Sequence, residues 1–135
     1  PVGVGSTDLF SPHASLCGSF SDVPYGSYFY EPVYYLACNG IVNGYSDTTF
    51  RPYNPAIRGQ LTKIVVLAEQ WPIYTPATPT FSDVPPSNPF YTYVETAHNR
   101  GIIQGYSDGT FRPGNDATRG QISKIVFRAI PDDHP

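Results

Sequence analysis

The sequence has no methionine, one tryptophan and few charges. Charged side chains make up 14% of its 135 residues, against about a quarter in an ordinary globular domain. No run of lysine and arginine occurs, and the net charge is −3. A surface that tracks phosphates needs clustered cations, so nucleic acid is excluded as a partner. No stretch reaches the roughly 18 apolar residues of a membrane-crossing helix. There is no leader-like segment. A chain starting at Pro1 fits a processed protein or an excised region, so the missing leader does not argue for a cytoplasmic protein.

Catalytic signatures are also missing. His13, His98 and His134 stand in unrelated contexts, and none forms a His-x-x-x-His metal pair. There is no Gly-x-Ser-x-Gly elbow and no phosphate loop. An enzyme, a cofactor and a metal site are therefore not expected. The two cysteines, Cys17 and Cys38, do not form a Cys-x-x-Cys pair. In an exported chain they are expected to be joined, closing a loop worth about 3 kcal/mol in the chain-entropy description. Two free thiols are the alternative.

Fifteen prolines and 12 glycines imply short elements and defined loops. Hydrophobic residues, at 40%, suffice for a folded core. The excess is in tyrosine, with 11 Tyr beside 8 Phe. Such rings suit a surface that contacts sugar or protein, and they serve equally well as core.

An internal repeat organises the chain. Phe20-Ser21-Asp22-Val23-Pro24 recurs as Phe81-Ser82-Asp83-Val84-Pro85, and the same offset of 61 residues then holds without a gap. It aligns Gly44-Tyr45-Ser46-Asp47 with Gly105-Tyr106-Ser107-Asp108, and Thr49-Phe50-Arg51-Pro52 with Thr110-Phe111-Arg112-Pro113. It also aligns Arg58-Gly59-Gln60 with Arg119-Gly120-Gln121, and Lys63-Ile64-Val65 with Lys124-Ile125-Val126. The organisation read from this is an N-terminal extension (1–19), repeat 1 (20–70), a linker (71–80), repeat 2 (81–130) and a tail (131–135).

Each repeat reads as helix–loop–helix. In repeat 2, Asn88 is placed as an N-cap with Pro89 after it, Phe90, Val94 and Ala97 share a face, and Gly101 ends the helix. In repeat 1 the first helix starts near Glu31, because Pro32 restricts what precedes it. Asp108-Gly109 forms a turn, and Asp47-Thr48 shows that glycine is not obligatory there. Thr118 and Gln121 form a capping box for the second helix. Its stripe is Ile122, Ile125, Val126 and Ala129, matched by Leu61, Ile64, Val65 and Ala68. Ile57 replaces the capping threonine in repeat 1, weakening that start by about 1 kcal/mol. The expected fold is mainly α: two tandem helix–loop–helix repeats sharing a small bundle, with an irregular Pro-rich tail and linker. The linker is expected to be extended, either a plain spacer or an O-glycan carrier at Thr75, Thr78 and Thr80.

Arg58 and Arg119 carry the sharpest site signal. A cation in the first turn of a helix opposes the local dipole, and the glycine after it costs nearly 1 kcal/mol against alanine. Both costs, incurred twice, suit an anion held by the guanidinium and free N–H groups, with Gly59 and Gly120 allowing close approach. The alternative is a structural pair with Asp108 or Asp116. The better cap of repeat 2 ranks Arg119 above Arg58. Arg51 and Arg112 are expected to support their loops, and Asp47 and Asp108 to act in turns rather than on a metal.

These motifs resemble the S-layer homology repeat of bacterial cell-surface proteins. The match covers Phe20 to about Ala68 and Phe81 to about Ala129. The resemblance implies a largely helical bundle, an extracellular place on the cell surface, and non-covalent attachment to cell-wall polysaccharide with acidic groups. It assigns ligand contact to Arg58, Gly59, Arg119 and Gly120, with Tyr45, Asp47, Tyr106 and Asp108 behind them. Three departures stand out. Two repeats are present where the family commonly has three, Arg-Gly-Gln replaces Arg-Ala-Glu, and Phe29 and Phe90 stand where tryptophan is usual. The function expected is a non-catalytic anchor to the wall. The alternative is a self-assembling subunit of an extracellular fibre, tube or lattice, in which a neighbouring chain completes the bundle.

Overall fold

The structure is a computed structural model that describes residue 17 and residues 19–131. Phe10, His13 and Leu16 of the N-terminal extension, and His134 of the tail, lie outside the described residues. Four helices form among those described: α1 (Tyr30–Cys38), α2 (Arg58–Glu69), α3 (Tyr91–Asn99) and α4 (Arg119–Ala129). They contain no strand, and one isolated antiparallel bridge links Ile57 to Asp116. The fold is mainly α, as the two apolar stripes require. The chain divides into two compact units, Pro1–Asn54 and Pro55–Pro135. This division falls inside the first sequence repeat, so α2 belongs to repeat 1 by sequence and gathers with α3 and α4 in space.

In the first unit, α1 starts at Tyr30 and places Pro32 within its first turn, where a missing N–H breaks no helical bond. Val23, Tyr30, Val33 and Tyr34 form the core, with Phe20, Phe29 and Phe50 packed against it. The main-chain N–H of Phe20 donates to Tyr34 Oη at 2.7 Å. The disulfide is present: Cys38, the last residue of α1, is bonded to Cys17, with Cα atoms 5.0 Å apart.

In the second unit, α2 packs on α3 and α4 around Val66, Val84, Val94, Ala97, Phe111 and Ile125. Asn88 acts one turn earlier than its reading as a helix cap. Its Oδ1 accepts the Phe90 N–H at 2.8 Å, and α3 begins only at Tyr91. Gly101 ends the helix as expected, with φ +75°. Gly59 has a packing reason to be glycine, because a Cβ there would lie 2.5 Å from the Phe90 ring.

The 71–80 segment is tied to α3 rather than free. Tyr74 N–H donates to Thr96 Oγ1 (2.9 Å), and Tyr91 Oη donates to the Pro76 carbonyl (2.7 Å). Glu95 is 1% exposed, and its carboxylate accepts both the Thr80 N–H (2.8 Å) and the Thr80 hydroxyl (2.7 Å). A buried carboxylate needs such donors, so Glu95 holds the strap in place. Thr80 commits its hydroxyl to this bond, whereas Thr75 and Thr78 are exposed.

Both repeats close their central loop in one way. Asp22 accepts the N–H groups of Phe50 and Arg51, and Asp83 those of Phe111 and Arg112, all at 2.8 Å. The clamp holds Arg51 and Arg112 at φ +62° and +60°. The turn before them also needs the left-handed region. Gly109 has φ +83°, and Thr48 in its place has φ +67°, which is strained for a β-branched residue.

Four outcomes follow. Thr48→Gly should raise the stability of the first unit by up to about 1 kcal/mol, read as a higher urea midpoint. Gly59→Ala should lower stability by about 1–3 kcal/mol through overpacking on Phe90. Gly120→Ala in dilute protein should instead raise it by up to about 1 kcal/mol, because only the Thr118 hydroxyl, at 3.9 Å, is near. The two N–H groups on Asp22, that of Phe50 foremost, hold its carboxyl below the usual 3.8. A depressed folded pKa contributes stability above the unfolded value and loses it as pH falls through the folded one. Stability of the first unit should therefore decline below about pH 4, and Asp22→Asn should flatten that part of the acid titration.

Candidate functional site

The start of α2 explains how the site is built. Ile57 has no side-chain acceptor, and only Gln60 Oε1 reaches back to its N–H, at 3.4 Å. The next two N–H groups are capped from a distance. Arg58 donates to the Asn115 carbonyl (2.8 Å) and Gly59 to that of Pro113 (2.9 Å), while Ala117 N–H donates to the Ala56 carbonyl (2.9 Å). Tertiary carbonyls thus stand in for the missing capping threonine. α4 is capped locally by its own box: Gln121 N–H donates to Thr118 Oγ1 (3.1 Å), and Thr118 N–H to Gln121 Oε1 (3.0 Å).

Seating α2 on this loop carries Arg58 inward. The side chain is 6% exposed, its Nε donates to the Phe111 carbonyl at 2.9 Å, and its Cζ lies 5.0 Å from the Tyr106 ring centre and 4.4 Å from that of Phe111. Burial pushes the guanidinium below its usual range, with Tyr106 opposing the shift. It remains a cation, because arginine does not deprotonate in proteins. Among the described residues no carboxylate forms an ion pair with it.

Arg58 faces a cleft of about 110 Å3, lined also by Ile102, Ile103, Gln104, Gly105, Tyr106, Gln121, Lys124 and Ile125. Gln121 Nε2 donates to Tyr106 Oη at 3.0 Å and so braces the aromatic wall. The lining has two cations and no acidic side chain. Such a cleft offers a small anion charge, amide donors and a ring face.

Within the second unit the cleft brings together Arg58 and Tyr106 of the expected site residues. Gly59 packs on Phe90. Arg119 and Gly120 lie exposed at the start of α4 and do not line the cleft. Arg119, ranked above Arg58 on capping alone, is the less enclosed of the two: its helix start is capped by its own Thr118, whereas residues 113–115 cover that of α2. Neither arginine pairs with Asp108 or Asp116.

Asp108 acts in its turn. Oδ1 accepts the N–H (3.1 Å) and hydroxyl (2.6 Å) of Thr110, while Oδ2 pairs with Arg112 at 3.2 Å. The Thr110 bonds, more than the arginine, hold its carboxyl below the usual range. Arg112 in turn stacks on Tyr106, 3.8 Å from the ring centre. Asp47, Thr49, Arg51 and Tyr45 repeat this arrangement in the first unit, with Arg51 at 3.7 Å from Tyr45. Lys124, Gln104 and Gln121 were not expected in a site. Lys124 did carry a signal, since Lys63 and Lys124 match across the repeat in a chain with few cations.

Two segments, residues 19–62 and 80–122, match the S-layer homology domain. The chain is 29% identical over 126 residues to an S-layer protein of Bacillus thuringiensis subsp. finitimus, covering 93% of this chain and 15% of that protein. It is 29% identical over 113 residues to an uncharacterised cell wall amidase of Bacillus anthracis, covering 82% of this chain and 20% of that protein. An endoglucanase of Bacillus sp. (strain KSM-635) is 29% identical over 110 residues, covering 82% of this chain and 11% of the relative. The chain thus spans a fifth or less of the length of these relatives. Two tandem matches over most of the sequence, on a helical fold, place the chain in the S-layer homology domain family, as a module of the extracellular cell surface.

Proposed function

We propose that this module holds a surface protein to the cell wall by binding an acidic group of the wall polysaccharide in the Arg58 cleft. One observation carries the reading. A nearly buried guanidinium that forms no ion pair with a carboxylate among the described residues faces a cleft that also holds Lys124. An enclosed charge is costly unless something neutralises it, and a ligand carboxylate would do so. Arg58 would bind it through its remaining N–H groups, Lys124 would add a mobile second charge, and Tyr106 would give the sugar ring a flat face. The relatives support an anchoring role from another side. An S-layer protein, an amidase and an endoglucanase differ in their named activities, yet each contains a stretch like this one.

Retention of the chain on purified cell walls tests the proposal. Lys124→Ala and Arg58→Lys should each weaken retention about tenfold, in line with loss of a charge-assisted bond. Arg119→Ala should change it less than twofold. Carbodiimide amidation of the wall carboxylates should abolish retention of the unaltered chain. Unchanged retention in the Lys124→Ala/Arg58→Lys double variant, with its circular dichroism intact, would overturn the assignment of the cleft.

A further inference from the structure

Gln121 serves two structures with one amide. It closes the capping box of α4, and it lines the Arg58 cleft. The amide can be turned in only one way. Oε1 accepts the Thr118 N–H at 3.0 Å, and a main-chain N–H can only donate, so the oxygen must face the cap. The NH2 group is thereby aimed at the aromatic wall, where Nε2 donates to Tyr106 Oη at 3.0 Å. The helix cap thus fixes which end of the amide the tyrosine meets.

That direction decides what Tyr106 does with its own proton. A phenol hydroxyl has one proton to donate and lone pairs that accept. An NH2 group offers no lone pair to receive a proton, so the bond from Gln121 occupies the oxygen and leaves the proton over. Among the described residues Tyr106 Oη makes no second hydrogen bond. The ring is fixed by two guanidiniums, with the Cζ of Arg58 at 5.0 Å and that of Arg112 at 3.8 Å from its centre. Tyr106 lines the cleft, so a ligand there meets a hydroxyl with a proton to give.

Glutamate at this position would do the reverse. It satisfies a capping box as well as glutamine does, and its charge suits the first turn of a helix. Its carboxylate would take the Tyr106 proton. It would also lie one helical turn from Lys124 and pair with it. The cleft, whose lining has no acidic side chain, would then contain a carboxylate of its own.

We propose that Gln121 sets the specificity of the cleft: by donating to Tyr106 it makes the phenol hydroxyl a hydrogen-bond donor to a ligand carboxylate. Tyr106 touches the ligand, and Gln121 is the positioning residue behind it. Arg58, Lys124 and the Tyr106 hydroxyl then converge as donors on one anion. The inference rests on the reading of the Arg58 cleft as the wall-binding site.

Retention on purified cell walls, urea midpoints and Raman spectra of the full chain test it together. Tyr106→Phe keeps the ring beneath Arg112 and should weaken retention about tenfold, as the loss of one bond to a charged acceptor does. Gln121→Glu should keep the urea midpoint or raise it, yet weaken retention at least about tenfold. In its Raman difference spectrum against the unaltered chain, the tyrosine doublet should report one hydroxyl newly donating to a carboxylate. Tyr106→Phe added to Gln121→Glu should remove that signal. A glutamine that only braced the ring would be replaced by glutamate without loss of retention, because glutamate braces it too. Full retention of Gln121→Glu or of Tyr106→Phe, or an unchanged doublet, would overturn the proposal. Arg58→Lys tells the two readings apart. Loss of retention with Arg58→Lys alone would remove only the role of Gln121, whereas full retention of all three single variants would remove the cleft itself as the wall site.

Discussion

The carboxylate of Asp83 accepts the main-chain N–H groups of Phe111 and Arg112, both at 2.8 Å, across a separation of 28 or more residues. Much of the second unit follows from this pair of bonds. They hold Arg112 in the left-handed region, which few non-glycine residues adopt without such a partner. With the loop held there, the Phe111 ring enters the core and its carbonyl meets Arg58. Arg112 is left to stack on Tyr106, the wall of the cleft. Asp22 makes the same two bonds in the first unit. The Asp-Val-Pro run is thus a structural latch that shapes the site from outside it.

The two arginines at the helix starts show how one motif acquires two environments. Each opens a helix and precedes Gly-Gln. Arg58 is covered because the 113–115 carbonyls draw the start of α2 onto the repeat 2 loop. Arg119 has a capping threonine of its own and stays in water. A local cap makes the α4 terminus self-sufficient, whereas α2 must borrow its partners, and borrowing brings the guanidinium inside. The strap at 71–80 works similarly. Its composition is that of a free linker, but Glu95, Thr96 and Tyr91 each hold part of its backbone.

An anchor needs a site whose chemistry opposes that of its target. The proposed ligand is acidic, and the cleft has two cations in a chain whose net charge is −3. Local arrangement therefore outweighs overall charge, as expected where a charge is enclosed and poorly screened.

Much of the architecture was legible in the residues because it depends on neighbours along the chain. The 61-residue repeat, the Thr118–Gln121 box, the apolar stripes and the break at Gly101 are short-range patterns, and the helices follow them. The Cys17–Cys38 bond rested on cysteine count and an exported reading, and it is present. Arg58 and Tyr106, expected by residue type, both line the cleft. Which arginine would be enclosed, that Lys124 would stand beside it, and that the linker would lie on Glu95 depended on contacts between distant segments. The sequence by itself determined the repeats, the helices and their caps, since hydrogen bonds and side-chain periodicity within a few residues dictate these. Only the tertiary structure decided where the cation is buried, because burial depends on which surface another part of the chain brings against it.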